Sequence, residues 1–319
     1  MTTGPAAMAV EGRLERALAR FASDVSAPLG FELALPPVAS PSYHAVESTT
    51  YTVSEGGGTP TLFLKLSGEE TAELVDDDVA YEAQSRWFDL GFSPQPIARA
   101  PAERAVLSQY LGEGWKAARI DDLMHESTAT RLVAMQKAIA SGAPLGRPWS
   151  VFDGIDRLWM KLRGSSHLPA DADWMANWMN TLRAALEAAG IDQRPAHGDP
   201  HSSNVMLGPD GAMQLVDFDM AGDMDPYYQL GVQMNELYQF ETQMQPLLEL
   251  HDGSVSRAKF ARCRLYAAAD DFYWALRSLL MEARSQAVGI EFLKYAGWRF
   301  LRCRMLLGHP GFEDYVRSV

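Results

Sequence analysis

The sequence predicts an α+β protein with a small, sheet-containing N-terminal part, residues 1–110, and a larger, mostly helical C-terminal part, residues 111–319. Two observations predict this division. Before residue 110, runs rich in β-branched and aromatic residues alternate with glycine turns. After it, most of the sequence has apolar residues at helical spacing. A chain of 319 residues is long enough for a sizeable core or for two lobes.

In the N-terminal part, residues 10–25 carry apolar positions at helical spacing. From about residue 42, the runs "YHAVESTTYTV" and "TPTLFLKL" enclose "SEGGG" and predict a β-hairpin. The run "DDDVAYEAQSRWFDLG" predicts a helix, because aspartates suit a first helical turn and Gly91 suits the end. The run "AERAVLSQYLGEG" predicts a strand that continues into a loop.

The C-terminal part has six segments with helical periodicity: 121–141, 150–163, 171–190, 227–250, 256–287 and 289–308. The exception lies at 196–222, where "NVMLGPDGAMQLVDFD" gives two short apolar runs around "GPDG" and predicts a second hairpin. Clefts between lobes of this kind are usual ligand sites, so we expect one here.

Composition narrows the functional class. Apolar residues make up 47% of the chain and charged residues 22%, as in soluble globular proteins. The net charge of −13 argues against non-specific nucleic-acid binding and against docking on anionic membranes. The N-terminus lacks a signal-peptide pattern and no window is apolar enough to span a bilayer. Cys263 and Cys303 are expected to be free buried thiols, and the protein is expected to be cytoplasmic.

The stretch "AHGDPHSSNVML", residues 196–207, concentrates polar side chains in a segment that cannot be regular helix. A zinc site made by His197 and His201 would require a helix, which Gly198 and Pro200 oppose. A serine hydrolase would require a GxSxG turn, which this stretch lacks. Both interpretations are therefore weak.

Phosphoryl transfer fits the stretch better. It needs a carboxylate to orient and deprotonate the acceptor hydroxyl, and oxygen ligands to hold Mg²⁺ on the phosphates. Asp199 suits the first role. Asn204 and Asp217, which the predicted hairpin brings together, suit the second. The spacing His-x-Asp-x₄-Asn followed by this aspartate is specific for such a site.

A site of the protein-kinase type also needs a strand lysine paired with a helix glutamate. Lys65 stands among apolar residues of the predicted strand "LFLKL", and Glu82 lies in the middle of the next predicted helix. Their order along the chain suits these roles. We therefore hypothesise that Lys65 and Glu82 pair.

This layout resembles the protein-kinase-like superfamily, in its branch of aminoglycoside phosphotransferases and choline/ethanolamine kinases. "HGDPHSSN" and "VDFDMAGDMDPYYQLG" match the catalytic loop and metal-binding segment of that branch, and "GVQMNELYQFE" and "DDFYWALRSLLMEARSQAVGIEFLKYAGWRF" resemble choline kinase segments. The resemblance spans about residues 45–305. It implies a two-lobed protein-kinase-like fold with a nucleotide-binding antiparallel-sheet lobe and a helical lobe that holds the catalytic loop, metal site and acceptor pocket.

The resemblance also implies a role for each matching residue. By this resemblance, Asp199 is the catalytic base, and Asn204 and Asp217 bind Mg²⁺ with support from Asp219. Lys65, oriented by Glu82, binds the ATP phosphates, and backbone groups near Gln109 and Leu111 bind adenine. Glu236 and Trp274 line the acceptor pocket.

The chain departs from the family pattern at two supporting positions. The loop over the phosphates normally carries glycine, but "AVESTTYTV" has none. Ser48, Thr49 and Thr50 could donate hydroxyls there instead, or they could be ordinary strand residues. The family usually has an aspartate near Gln229 that ties down the catalytic loop. Gln229 can form hydrogen bonds but carries no charge.

A third departure concerns the acceptor. Arg277 stands where choline kinases tend to have a second tryptophan, and it would repel a trimethylammonium group unless Glu241 or Asp270 neutralised it. An alcohol with both an amine and an acidic group fits better, unless Arg277 points to solvent. Residues 195–256 contain ten Asp and Glu and no Lys or Arg, which keeps a cationic acceptor open.

Together these features predict an ATP- and Mg²⁺-dependent kinase, similar to choline/ethanolamine kinases, that phosphorylates the hydroxyl of a small amino alcohol. The alternatives are an aminoglycoside-type antibiotic phosphotransferase and a pseudokinase that binds nucleotide without turnover. The expected partner is a small hydroxylated molecule rather than nucleic acid or membrane, and a homodimer stays open.

Overall fold

The structure is a computed structural model that describes residues 5–22, 25, 28–39, 43, 45–287 and 289–319. It divides into two compact units. The first unit comprises Met1–Lys116, Met206–Asp219 and Arg284–Ile290, and the second comprises Ala117–Val205, Met220–Ala283 and Glu291–Val319. Residues 42 and 44, at the start of the first predicted strand, lie outside the described residues.

The first unit contains a five-stranded antiparallel sheet with the order β1-β2-β3-β5-β4. Its strands are β1 (Leu29–Leu33), β2 (Ser48–Glu55), β3 (Leu62–Ser67), β4 (Pro96–Ala100) and β5 (Ala105–Gln109). Strands β2 and β3 form the hairpin that the sequence predicts around "SEGGG". Strands β1 and β4 were not predicted from the sequence.

Two helices accompany this sheet, α1 (Pro5–Phe21) and α2 (Asp77–Asp89). Helix α1 buries Leu14, Ala17 and Phe21 in the core of the sheet. Helix α2 is capped by Asp76, whose side chain accepts a hydrogen bond from the N–H of Val79 at 3.1 Å. It ends before Gly91, which has a positive φ of 76°. The aspartate-rich start and the glycine end are those the sequence predicts.

Strand β3 determines which face of the sheet carries polar chemistry. Its residues Leu62, Leu64 and Leu66 are buried in the core with α1. Because successive strand residues point to opposite faces, Phe63 and Lys65 lie on the other face. The alternation of the sequence therefore keeps the Lys65 ammonium out of the apolar core.

The later elements are mostly helical, which confirms the predicted fold class. In chain order they are β6 (Lys116–Ala117), α3 (Ile120–Met124), α4 (Glu126–Ala140), α5 (Val151–Leu162), α6 (Ala172–Ala188), β7 (Arg194–Ala196), β8 (Val205–Leu207), β9 (Met213–Leu215), β10 (Gly222–Met224), α7 (Pro226–Leu237), α8 (Glu241–Asp252), α9 (Arg257–Arg284), α10 (Phe292–Leu307) and α11 (Phe312–Val316). Within the described part of the chain, the helices are all too short or too polar to cross a bilayer.

Two segments that were each predicted as one helix form two helices in the structure. The segment 121–141 forms two helices, α3 and α4, separated at His125, and the segment 227–250 forms α7 and α8, separated around Tyr238. Both separating residues have extended backbone angles. Neither break contains glycine or proline, and α4, α7 and α8 bury their apolar residues in one shared cluster. Helical periodicity therefore continues across the break between α7 and α8.

The backbones of helices α7 and α9 lie in close contact at Gly231. A Cβ atom at Gly231 of α7 would lie well inside van der Waals contact of the backbone carbonyl of Cys263 in α9. The backbone of a long buried helix cannot move aside as a flexible side chain can. Glycine at this position is therefore a packing requirement of the second unit.

We expect Gly231→Ala to lower the free energy of unfolding by about 1–3 kcal/mol or more, because it overpacks this contact. Gly297→Ala in α10 is the matched control, since nothing lies within 4 Å of its added methyl group. That control should raise stability by about 0.5–1 kcal/mol, as alanine favours helix over glycine. Urea unfolding of both variants measures the difference. Equal effects at the two positions would contradict the helix contact.

Candidate active site

The first group of predicted site residues is a lysine between two carboxylates in the first unit. The Nζ atom of Lys65 lies 2.6 Å from Oδ1 of Asp217 and 2.6 Å from Oδ1 of Asp219. The three side chains come from β3 and from the segment that follows β9, about 150 residues later. The structure thus brings together the predicted phosphate-binding lysine and two of the predicted metal ligands.

Packing within the first unit fixes the segment that carries Asp217. The N–H of Leu215, in β9, donates to the carbonyl of Phe92 at 2.7 Å. The ring of Phe218 packs on Trp87 of α2 at 5.5 Å between centroids. Between these anchors Asp217 has a φ of 65°, in the left-handed region that non-glycine residues seldom adopt. Outliers of this kind often mark functional positions.

The cluster carries more negative than positive charge. Burial opposes the ammonium of Lys65, but Asp217 and Asp219 outweigh this effect and raise the pKa of Lys65 above its ordinary value. Burial raises the pKa of Asp219 to about 6, with a further contribution from Asp217 and Glu47, although Lys65 works in the opposite direction. A cation placed near these carboxylates would therefore be stabilised.

We tested the cluster as a Mg²⁺ site by its donor set. Among the residues that the structure describes, no group of three or more His, Cys, Asp and Glu is placed to hold a metal ion by itself. Magnesium on a nucleotide needs only one or two carboxylates, because phosphates and waters complete its octahedron. The Asp217 side chain is 46% exposed and offers such an oxygen ligand. The residues therefore fit a metal that arrives with phosphate.

The hypothesised pair of Lys65 and Glu82 is not formed, although both residues are described. Glu82 instead binds Arg86 one helical turn later, and its side chain is half-exposed. Lys65 is already bound by two carboxylates. A helix glutamate with an arginine four residues on has a local partner that requires no tertiary contact, which accounts for the difference.

The other nucleotide-site candidates lie on and beside the sheet. Ser48 and Thr49 begin β2, and because residues alternate, Ser48 shares the face of Lys65 whereas Thr49 shares the opposite one. Gln109 ends β5 and its N–H already donates to the carbonyl of Gln95 at 2.8 Å. Leu111 is half-buried just beyond it.

Between Gln109 and Leu111, the ring of Tyr110 stacks nearly parallel on Phe63, at 6.5 Å between centroids and 6° between planes. Phe63 lies two residues before Lys65 on β3 and therefore on the same face of the sheet. The segment predicted to bind adenine thus lies beside an aromatic pair. The sequence analysis did not single out this pair.

The second group of predicted site residues is the loop that follows β7 in the second unit. Strand β7 pairs antiparallel with β10, with Ala196 opposite Gly222. Gly198 has a φ of 80°, and a Cβ atom there would overlap the carbonyl of Met220. His197 is buried, and its Nδ1 accepts from the N–H of Asp199 at 3.3 Å. The loop conformation thus requires glycine at 198 and is supported by His197.

Two side chains of α7 hold the loop from outside. Oε1 of Gln229 accepts from the N–H of Gly198 at 3.2 Å, so this glutamine supports the loop despite its lack of charge. Glu236 accepts from the N–H of Ser202 at 3.0 Å and from its hydroxyl at 2.7 Å. Glu236 was expected in the acceptor pocket, but its hydrogen bonds in the structure go to the catalytic loop.

Asp199 is held through both carboxylate oxygens. Its Oδ1 binds Nδ1 of His201, and its Oδ2 accepts from the amide nitrogen of Asn204 at 2.9 Å. Because the amide nitrogen of Asn204 is used here, its oxygen is the atom left to bind a metal. From the sequence, His201 was considered only as a ligand of a zinc site, and its contact with Asp199 was not predicted. A residue two positions away in extended chain lies on the same side, which is the signal that could have revealed it.

The pair of Asp199 and His201 is electrostatically coupled. Burial acts to raise the pKa of Asp199, but the charge and hydrogen bond of His201, with help from His197 and Asn204, lower it to about 2. Burial acts to lower the pKa of His201, but Asp199 outweighs it and raises the value to about 9. At neutral pH, Asp199 is therefore an ionised carboxylate.

Trp274 and Arg277 of α9 lie together next to the catalytic loop. The ring of Trp274 contacts that of His201 edge-on, with centroids 6.4 Å apart. The guanidinium carbon of Arg277 lies 4.9 Å from the centroid of Trp274. Arg277 is 1% exposed and donates to the hydroxyl of Tyr273 at 2.9 Å. The alternative that Arg277 points to solvent is therefore wrong.

The acids considered as partners of Arg277 bind other arginines. Glu241, the first residue of α8, binds Arg264 at 3.2 Å and also the hydroxyl of Tyr315. Asp270 binds Arg299 and accepts from the hydroxyl of Tyr228 at 2.6 Å. Glu241 thus connects α8 to α9 and α11, and its expected place in the acceptor pocket is not supported by these contacts.

A buried ionic network links α7, α9 and α10, and the sequence analysis missed it. Arg299 of α10 binds Asp270 and also lies 3.0 Å from Asp271 of α9, and all three residues are at most 3% exposed. Asn235 of α7 donates to Asp271 at 2.9 Å. The adjacent acids inside an apolar helix, "AADDFYW", were the available signal, because buried charges are nearly always paired.

Comparison with known proteins also indicates a phosphotransferase. The sequence pattern of the phosphotransferase enzyme family matches residues 44–266. The chain belongs to this family. The match covers most of the chain, including the predicted catalytic loop, and confirms that the protein is a phosphotransferase. No protein with a curated description matches the sequence significantly.

Solved structures of phosphotransferases share the fold. A choline/ethanolamine kinase family protein from Mesorhizobium loti has a TM-score of 0.75 and 22% identity over 98% of both chains. The choline kinase LicA from Streptococcus pneumoniae has a TM-score of 0.76 and 17% identity over 94% of this chain and 99% of its own. The aminoglycoside phosphotransferase APH(2")-IIIa, solved with GDP and kanamycin, has a TM-score of 0.65 and 13% identity over 93% and 99%. These similarities confirm the predicted kinase-like fold.

The hydrogen bond from Gly198 to Gln229 is testable by Gln229→Met, which keeps the side-chain length and removes the acceptor. Leaving a buried N–H without a partner should lower the free energy of unfolding by about 1–3 kcal/mol. It should also lower kcat, because the loop that carries Asp199 loses a support. Chemical denaturation and steady-state kinetics measure the two effects.

Gln233→Met is the control for this variant. Gln233 lies one turn later in α7 and accepts from Gln136 at 3.1 Å, outside the catalytic loop. We expect a similar loss of stability with an unchanged kcat. If both variants changed kcat equally, Gln229 would have no specific role in the loop.

Proposed function

We propose that this phosphotransferase is an ATP- and Mg²⁺-dependent kinase that phosphorylates the hydroxyl of a small alcohol. The observation that carries the proposal is the Asp199 carboxylate, which is ionised and held at both oxygens by His201 and Asn204. Family membership supports phosphoryl transfer as the reaction. Solved relatives of the same fold include complexes with AMP and GDP, which supports a nucleotide donor.

In the proposed step, the acceptor hydroxyl gives its proton to Asp199. The hydroxyl oxygen forms a bond to the γ-phosphorus, and the bond from that phosphorus to the β–γ bridging oxygen breaks, so that its electron pair leaves with ADP. The proton on Asp199 then returns to solvent. Positioning of a base in this way fits phosphoryl transfer, which needs orientation and charge stabilisation more than covalent chemistry from the protein.

The remaining roles follow from the side chains described above. Lys65 would bind phosphate oxygens, and its two carboxylate partners Asp217 and Asp219 would be oxygen ligands for Mg²⁺, which neutralises phosphate charge when bound. Asn204 would offer its amide oxygen to the metal. Ser48, on the face of Lys65, suits a phosphate contact better than Thr49 does.

The adenine ring is proposed to bind backbone groups near Gln109 and Leu111. The aromatic pair of Tyr110 and Phe63 supports this placement, because a purine favours contact with aromatic rings. The N–H of Gln109 is already used within the sheet, so its carbonyl and the backbone of Leu111 are the groups offered to the base.

For the acceptor, we propose a small amino alcohol that also carries an acidic group. The ten acidic residues between positions 195 and 256, with no Lys or Arg among them, favour an amine. Arg277, whose guanidinium already lies over the ring of Trp274, disfavours a trimethylammonium group at that ring and favours an acid. The choline/ethanolamine kinases of the same fold support the class of acceptor. An aminoglycoside-type acceptor is the second candidate, supported by the similarity to an aminoglycoside phosphotransferase.

The proposal predicts ADP release from Mg-ATP in the presence of at least one acceptor. The screen should contain choline, ethanolamine, amino alcohols with and without a carboxylate or phosphate, sugars and aminoglycosides. Asp199→Asn should lower kcat about 10²- to 10⁴-fold, because it removes the base. Nucleotide binding without any turnover would instead indicate a pseudokinase. Undiminished turnover by Asp199→Asn would refute the role of Asp199.

The proposed phosphate contact of Lys65 predicts that Lys65→Met weakens ATP binding about 10- to 100-fold, the effect of losing a hydrogen bond to a charged group. Isothermal titration calorimetry measures it. Lys294→Met is the control, since Lys294 is an exposed lysine that binds Glu291 at 3.1 Å on α10. An affinity equal to that of the control would place the phosphates elsewhere.

A further inference from the structure

The carboxylate of Asp199 has two protein donors of different kinds. Asn204 donates to Oδ2 and is already proposed as a metal ligand. His201 binds Oδ1 through Nδ1, and the proposed function uses it only as a contact that holds this carboxylate. Since an ionised carboxylate can only accept hydrogen bonds, Nδ1 of His201 carries the hydrogen. Donors on opposite oxygens fix the plane of a carboxylate and still leave each oxygen a lone pair for another partner.

His201 is itself held in place by backbone and ring contacts. Its backbone is extended, with φ −62° and ψ 149°, and its carbonyl accepts from the N–H of Asn204 at 2.9 Å. The ring of Trp274 contacts the imidazole edge-on. The next residue, Ser202, is fixed by Glu236. Through these contacts, α7 and α9 determine the orientation of the imidazole, and the imidazole in turn orients the carboxylate of Asp199.

We infer that His201 is a positioning residue for the proposed phosphoryl transfer. Its Nδ1–H holds the Asp199 carboxylate in the plane in which the free lone pair of Oδ1 or Oδ2 meets the acceptor hydroxyl. His201 neither touches the reacting atoms nor exchanges a proton in the step. The hydroxyl proton passes to Asp199, as in the proposed function on which this inference rests.

Two amide substitutions separate a positioning role from a structural one. In His201→Asn, the side-chain nitrogen can occupy the place of Nδ1 and donate to Asp199. In His201→Gln, the nitrogen lies one methylene farther out and corresponds to Nε2. We expect His201→Gln to lower kcat about 10- to 100-fold, as loss of a group that orients a reactive side chain does. The KM values for ATP and acceptor should stay unchanged, and His201→Asn should stay close to the wild-type kcat.

A second His–Asp pair in the same unit supplies the control. Nδ1 of His251 lies 2.8 Å from Asp252, and both side chains are as buried as those of the catalytic-loop pair. His251→Gln removes a comparable contact outside the catalytic loop and should leave kcat unchanged. Thermal unfolding of all variants identifies any that fail to fold.

The outcomes of these experiments separate a positioning role of His201 from a structural role. If His201→Asn and His201→Gln have the same kcat, whether normal or reduced, donation through Nδ1 is not what matters and the inference is overturned. Crystal structures provide a readout that does not depend on turnover: the Asp199 carboxylate should keep its plane in His201→Asn and rotate in His201→Gln. A wild-type protein without acceptor turnover would refute the proposed function, whereas normal turnover by His201→Gln would refute the positioning role alone.

Discussion

The close approach of Gly198 to the carbonyl of Met220 constrains the chemistry of the second unit more than any other contact. It forces a positive φ at residue 198 and excludes every side chain larger than hydrogen. Strands β7 and β10 bring the two backbones together, and Gln229 caps the N–H that the turn exposes. Asp199 and His201 follow from this turn, so the geometry of the carboxylate is set by backbone packing before any ligand binds.

Local sequence was enough to predict most of the helices and strands, and it singled out the residues for which roles in the reaction are proposed. The alternation in "LFLKL" placed Lys65 away from the core, and it lies there because strand residues alternate faces. Glycine and proline around Asp199 predicted a loop rather than a helix, and the loop is present. Continuous periodicity failed at Tyr238, because α7 and α8 share one core and keep their apolar spacing across a short break. It also failed at His125, where neither glycine nor proline marks the break.

The choice of partner for each charged side chain could not be predicted in the same way. Glu82 was placed by its order along the chain, and Glu236 and Glu241 by comparison with the family, but each has a partner in the structure that these arguments do not specify. The contacts of Glu236 and Glu241 depend on distances of a few ångströms between elements far apart in sequence, whereas Glu82 has a local partner four residues later. Lys65 illustrates this dependence. The two carboxylates that it binds belong to the segment after β9, and this segment lies in the same unit as the five-stranded sheet. The type of element that carries a residue was therefore easier to predict than the partners of its side chain.

The left-handed backbone of Asp217 places stability and chemistry in competition at one residue. A side chain there costs the folded state about 1 kcal/mol that glycine would avoid. The same angle turns the carboxylate towards Lys65, with Leu215 and Phe218 anchored on either side. The sheet and α2 supply the packing that offsets this penalty. Replacing Asp217 by glycine to raise thermostability would therefore remove the carboxylate that meets the nucleotide in the proposed reaction.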